Sequence, residues 1–103
     1  CNAFSSSSAH GTEAYYYTYG GTAAEHLATV LNEEIVAATG LSNRGVKTAN
    51  FYVMKHAPMP ASLVELAFVT NDREESLLAD DTFQETLAKA IARAIGRYFT
   101  EGE

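Results

Sequence analysis

The run of residues 62–69, Ser-Leu-Val-Glu-Leu-Ala-Phe-Val, is the feature that most restricts how this chain can fold. Its composition predicts a β-strand, and alternation places Val64 and Leu66 on one face and Leu63 on the other. Strands that are apolar on both faces are typical of α/β sheets that are covered by helices on both sides. The run therefore predicts an α/β fold with this strand at the centre of the sheet.

Glu65 lies in the middle of this apolar run. An ionised carboxylate is rarely buried without a partner, because its removal from water costs far more than one hydrogen bond returns. Catalytic groups often lie near the ends of such strands. Glu65 is therefore predicted to be either half of a buried ion pair or a working carboxylate.

The first part of the chain predicts a strand followed by a helix. Residues 13–19 are rich in tyrosine and predict a strand, and the pair Gly20 and Gly21 ends it. Residues 22–25 match a capping box, and the helix that follows is expected to end at Gly40. Its predicted apolar stripe comprises Ala24, Leu27, Ala28, Leu31, Ile35 and Ala38.

The second part predicts a polar loop over residues 41–48 and a short strand over 51–54. After the strand at 62–69, residues 71–74 are expected to cap a short helix that reaches about residue 79. Residues 82–85 match a second capping box that opens the last helix. The apolar stripe of this helix, expected to pack on the sheet, comprises Phe83, Leu87, Ala88, Ile91, Ala94, Ile95, Tyr98 and Phe99. Three predicted strands form a narrow sheet, which offers little area for two such helices to pack against.

Charge and hydropathy exclude several classes of partner. The chain of 103 residues carries a formal net charge of -6, which argues against nucleic acid or an anionic membrane as the main partner. The sequence has no apolar run close to the roughly 20 residues that a transmembrane helix needs. One domain with a modest core is the expected unit.

The titratable and aromatic side chains form no complete motif. His10, His26 and His56 show no metal-ligand spacing, so none is assigned to a metal, and His26 is predicted to be exposed. Residues 43–47, Asn-Arg-Gly-Val-Lys, lack the pattern of a phosphate loop. They present a cation to a carboxylate-bearing ligand or form a solvated loop. The tyrosines of residues 15–19 predict core packing with hydroxyls at the rim, or a stacking platform for sugars or bases.

Several of these segments together carry a family resemblance. The segments 1–3 (Cys-Asn-Ala), 11–17 (Gly-Thr-Glu-Ala-Tyr-Tyr-Tyr), 43–47, 49–53, 59–61 and 63–71 occur in an order that resembles the C-terminal part of the bacterial cell-wall N-acetylmuramoyl-L-alanine amidases of the family-3 type, which are zinc enzymes. The resemblance covers essentially the whole chain. It implies an α/β domain with a mixed, mostly parallel twisted sheet flanked by helices. Residues 1–103 would be the C-terminal portion of one catalytic domain whose N-terminal strands are missing from this chain.

The resemblance also implies a function. The family hydrolyses the amide between N-acetylmuramic acid and L-alanine in peptidoglycan, in the bacterial cell envelope, either in the periplasm or secreted to the cell wall. Its zinc ligands, two histidines and a glutamate, would lie upstream of Cys1, and Glu65 falls on the general acid/base. Asn2 and Arg44 are the candidates for binding substrate.

The missing upstream ligands lead to further expectations. The chain alone is expected to be inactive, and to self-associate or to pair with the missing N-terminal half. The alternative is a non-catalytic remnant that binds cell wall or a protein partner.

Overall fold

The computed structural model describes residues 10–66 and 72–101. In chain order the elements are β1 (Thr12–Tyr17), α1 (Gly21–Thr39), β2 (Asn43–Ala49), α2 (Tyr52–Lys55), β3 (Ser62–Glu65), α3 (Asp72–Leu78) and α4 (Asp81–Glu101). No helix in this part of the chain is long and apolar enough to cross a membrane.

The three described strands form one mixed sheet in the order β2-β1-β3. Strand β1 is parallel to β2 and antiparallel to β3. The predicted α/β class with a mixed sheet is therefore confirmed. Among the described strands β1 is central, whereas β3, predicted to be central, lies at one end. Residues 67–69 of the apolar run lie outside the described part of the chain.

The core lies between one face of the sheet and the two long helices. Ile35 of α1 and Ala90 of α4 are fully buried and belong to one apolar cluster. Val64 of β3 packs against this cluster and also against a second one around Val30 and Ala94. Ala14 of β1 is fully buried on the strand next to Val64. Helices α1 and α4 therefore cover the face that carries Ala14 and Val64.

Helix α1 confirms most of its predicted stripe, and its predicted end is correct. Gly40 follows α1 with a φ of 69°, and its N–H donates to the carbonyl of Val36. A glycine adopts this left-handed conformation without a Cβ clash, so it can end the helix there. The predicted capping box at residues 22–25 is wrong, because the helix already begins at Gly21 and its cap, Gly20, makes no side-chain bond.

The N-terminus of α4 also differs from its prediction. Oδ1 of Asp80 accepts a hydrogen bond from the N–H of Phe83 at 3.1 Å, so an aspartate caps the helix two positions before Thr82. The predicted apolar stripe is too wide: Ile95 is 45% exposed, Phe99 is 66% exposed, and Ala88 is exposed as well. The buried residues of α4 form a narrower stripe of Leu87, Ala90 and Ala94, because this side of the helix faces α1.

Two local predictions in the middle of the chain are wrong. Residues 43–49 form strand β2 rather than a polar loop, because they pair with β1, whose ladder supplies hydrogen bonds that a local pattern does not reveal. Residues 52–55 form one helical turn rather than a strand. This turn buries Met54 while Phe51 packs edge-on against Tyr15, at 5.6 Å between ring centroids. The predicted short helix near residue 72 is confirmed as α3.

Candidate active site

Two glutamates face each other across the antiparallel pair of strands. Glu13 of β1 and Glu65 of β3 are direct partners in the register. Directly opposed residues of an antiparallel pair project to the same face, with Cβ atoms roughly 5 Å apart. Their neighbours Ala14 and Val64 face the helical core, so the two carboxyl groups lie on the other face of the sheet.

Glu13 is surrounded by hydrogen-bond donors although it is only 4% exposed. Its Oε1 accepts a hydrogen bond from the hydroxyl of Tyr15 at 2.9 Å. Its Oε2 accepts a hydrogen bond from Nζ of Lys47, and Nε of Arg44 lies 3.6 Å from the same oxygen. Both cations come from the parallel neighbour β2. The site thus holds a buried carboxylate with its charge compensated by two cations.

The pKa values of the two carboxyl groups are shifted in opposite directions. Burial alone opposes ionisation of Glu13, but hydrogen bonds from Lys47, Glu65 and Tyr15 together hold the pKa of Glu13 below its usual value. Burial, and next the hydrogen bond and charge of Glu13, raise the pKa of Glu65 above its usual value. Of the two groups, Glu65 is therefore the one that takes up a proton more readily. Burial and the bond to Glu13 also raise the pKa of Tyr15 to about 12.

Contacts of the backbone fix the start of β1 beside this pair. The hydroxyl of Thr12 donates to the carbonyl oxygen of Glu65 at 2.9 Å. The N–H of Gly11 donates to Oε2 of Glu74, a residue of α3 that is 1% exposed, at 2.7 Å. Arg44 also donates to the carbonyl of His10 at 3.4 Å. Elements from four parts of the chain therefore hold the two carboxyl groups in register.

The structure places the predicted site residues as follows. Glu65 ends β3 beside the carboxyl group of Glu13. Arg44 lies on β2, where it approaches a carboxylate of the protein itself, and its role in substrate binding stays a prediction. Asn2 lies outside the described residues. Sequence reasoning missed Glu13 and Lys47. The available signal was a charged residue at the start of a strand, on the same alternation face as Tyr15.

The three histidines lie in different surroundings. His10 is exposed, and His56 is exposed with its ring 4.3 Å from that of Tyr52. His26 is partly buried rather than exposed as predicted, with its ring 5.7 Å from that of Tyr98. Within residues 10–66 and 72–101, no three His, Cys, Asp or Glu side chains come together as a set able to hold a metal ion.

The tyrosines of β1 pack with their hydroxyl groups bonded at the rim. Tyr15 is partly buried and donates to Glu13, and Tyr16 is partly buried and donates to Glu25 at 3.0 Å. Tyr19 lies beyond the strand and is 78% exposed. The predicted rim hydroxyls are thus present in Tyr15 and Tyr16, whereas neither ring belongs to the apolar clusters of the described core.

The chain is similar in sequence and in fold to known proteins. Over 99 residues the chain is 40% identical to the N-acetylmuramoyl-L-alanine amidase LytC of Bacillus subtilis, a match that covers 95% of this chain and 20% of LytC. It superimposes on the catalytic domain of the amidase CwlV from Bacillus (Paenibacillus) polymyxa with a TM-score of 0.88 and 37% identity, covering 97% of this chain and 54% of that one. It also superimposes on the CwlD amidase of Clostridioides difficile, which was solved in complex with the GerS lipoprotein. The TM-score is 0.86 and the identity 33%, and the match covers 96% of this chain and 51% of that one.

The chain thus spans a fifth of LytC and about half of the two solved amidase chains. A family model described as N-acetylmuramoyl-L-alanine amidase matches residues 1–97. Because this match takes in nearly the whole sequence, the chain belongs to the N-acetylmuramoyl-L-alanine amidase family.

Proposed function

We propose that this chain is the C-terminal portion of an amidase catalytic domain that hydrolyses the bond between N-acetylmuramic acid and L-alanine in peptidoglycan. Glu65 is the general acid/base of this reaction. The observation that carries the assignment is the opposed pair of Glu13 and Glu65 on the face of the sheet away from the helical core. Membership of the amidase family and the match to about half of a solved catalytic domain support it.

The surroundings of Glu65 suit a group that first takes up and then returns a proton. In its ionised form the carboxylate accepts a proton from the attacking water as the oxygen bonds to the scissile carbonyl carbon. The protonated carboxyl then gives this proton to the leaving nitrogen as the carbon–nitrogen bond breaks, which frees the amino group of L-alanine. A carboxyl group with a raised pKa is a better donor near neutral pH, and burial and Glu13 act on Glu65 in that direction.

Zinc belongs to the proposal through the family, but its ligands lie outside the described residues. No set of three ligating side chains is present in that part of the chain. A zinc ion bound by upstream residues would polarise the scissile carbonyl and acidify a bound water. The residues that the structure describes account only for the proton transfer.

The substrate and its location follow from the same proposal. Peptidoglycan is the substrate, so the protein acts in the bacterial cell envelope, in the periplasm or secreted to the cell wall. Arg44, together with Asn2, contacts the substrate. The side chain of Arg44 is 31% exposed, which leaves part of it accessible to a stem peptide, although its Nε is buried. A second polypeptide segment, covalent or associating, completes the domain.

The test is the substitution Glu65→Gln in the full natural protein that contains this chain. Loss of a general acid/base costs roughly 10²–10⁴-fold in turnover, which release of peptides from purified peptidoglycan measures. Zinc content, measured by atomic emission, should be unchanged, because Glu65 is not a ligand. The matched control is Glu75→Gln on α3, which removes an exposed carboxylate and should keep full activity.

Three results would overturn the proposal. Turnover that survives Glu65→Gln would remove Glu65 from the reaction, and loss of zinc in that variant would make Glu65 a ligand instead. A parent protein that sediments with peptidoglycan but releases no peptide would favour the non-catalytic alternative.

A further inference from the structure

We propose that Glu13 is a positioning residue for Glu65: it orients the carboxyl group of Glu65 by a carboxyl–carboxyl hydrogen bond, while Lys47 and Arg44 keep Glu13 itself charged. This inference rests on the proposed role of Glu65. It assigns a function to a buried carboxylate that the reaction described above does not use.

Burial and register support the assignment. Glu13 is 4% exposed and is one of the few charged residues in the described core. A buried carboxylate lowers stability unless it is fully bonded, so an apolar side chain at this position of a strand would be the simpler structural solution. Instead, Oε1 and Oε2 of Glu13 bond to Tyr15 and Lys47, and the opposed residue is a second acid. Opposed acids in a sheet are unfavourable unless they share a proton.

The charged groups around the pair act differently on the two carboxyl groups. Lys47 and Arg44 reach Glu13 from β2, Tyr15 bonds to it within β1, and Glu65 faces it from β3. Glu74 of α3 is bonded to the amide of Gly11. The hydrogen bonds to Glu13 favour its ionised form, and its charge favours the protonated form of Glu65. Glu13 therefore sets both the orientation and the protonation of Glu65.

Two substitutions with opposite expected effects test this role in the full natural protein. Glu13→Gln removes the negative charge beside Glu65, so the titration of Glu65 should move to lower pH. Lys47→Met removes a cation that lowers the pKa of both glutamates, so the same titration should move to higher pH. The readout is the ¹³C carboxyl resonance of Glu65 in glutamate-labelled protein, with the acidic limb of kcat/KM as a second readout. Glu85→Gln and Lys89→Met, an exposed pair on α4, are the matched controls.

The titration is independent of turnover, so the two proposals fail separately. Opposite shifts in Glu13→Gln and Lys47→Met, with none in the controls, support the positioning role. An unchanged titration of the Glu65 resonance in both variants overturns the positioning role. A shift of this titration in the same direction in both variants also overturns it, because a general loosening of the site would give that result. If the resonance shifts as expected but Glu65→Gln keeps its turnover, the coupling between the two carboxyl groups is supported and the proposed catalytic role of Glu65 is wrong. Should Glu13→Gln not fold, Lys47→Met keeps the proposal falsifiable, because an unchanged Glu65 titration in that variant overturns it.

Discussion

Glu13 on β1 lies directly opposite Glu65 on β3, and Lys47 and Arg44 form ion pairs with Glu13. The surroundings of these two chemically identical side chains act on their pKa values in opposite directions. Burial opposes ionisation of both groups, but hydrogen bonds lower the pKa of Glu13, whereas the hydrogen bond and charge of Glu13 raise the pKa of Glu65 further. Paired carboxylic acids whose surroundings separate their pKa values are a recurrent basis for acid/base chemistry.

Glu65→Gln should stabilise the protein at neutral pH more than at acidic pH. The folded pKa of Glu65 is raised above the ordinary value of 4.5, so the protonated form favours folding below that value and this contribution is lost as the pH rises through the folded pKa. Glutamine stays uncharged, so the variant should gain melting temperature over the parent at pH 8 but not at pH 4. Glu75→Gln is the control, and an equal difference at both pH values would contradict the prediction.

Glu74→Ala should lower the free energy of unfolding by about 1–3 kcal/mol, the usual cost of leaving a buried hydrogen-bonding group without its partner. The carboxylate of Glu74 is 1% exposed and accepts the N–H of Gly11 at 2.7 Å, next to the start of β1. Urea unfolding monitored by circular dichroism measures the change. Glu75→Ala on the same helix is exposed and should change the free energy by less than about 0.5 kcal/mol. Equal effects of the two substitutions would contradict a structural role of Glu74.

The substitution Ile35→Ala should lower the free energy of unfolding by about 2–5 kcal/mol, because it leaves a cavity in a fully buried cluster. Ile95→Ala makes the same chemical change on α4, where the side chain is 45% exposed, and should cost less than about 1 kcal/mol. Chemical denaturation of both variants gives the comparison. The sequence pattern assigns both isoleucines to the core, so equal costs would favour the pattern over the structure.

The sequence predicted best those features that depend on neighbouring residues. Helix α1 and its end at Gly40 follow from local periodicity and from the freedom of glycine, and both are confirmed. Strand β2 was missed because its polar residues become a strand only when β1 supplies hydrogen bonds from another part of the chain. The same reason applies to the site. Glu65 is identified by its apolar neighbours in the sequence, whereas the role of Glu13 depends on pairing with a residue that is distant in sequence.

Gly11→Ala should destabilise the protein more than Gly21→Ala, and the comparison isolates a steric effect beside the site. Both glycines have positive φ values, 107° for Gly11 and 82° for Gly21, so an added side chain strains both, by about 1–2 kcal/mol in the left-handed region. A Cβ on Gly11 would also lie 2.4 Å from the carbonyl oxygen of Ser42, whereas one on Gly21 meets no atom within 4 Å. The Ser42 oxygen cannot retreat freely, because it accepts the N–H of Thr12 at 2.9 Å. The melting temperature of Gly11→Ala should therefore be well below that of Gly21→Ala. Equal melting temperatures would show that the backbone at the start of β1 can move to accommodate the added Cβ.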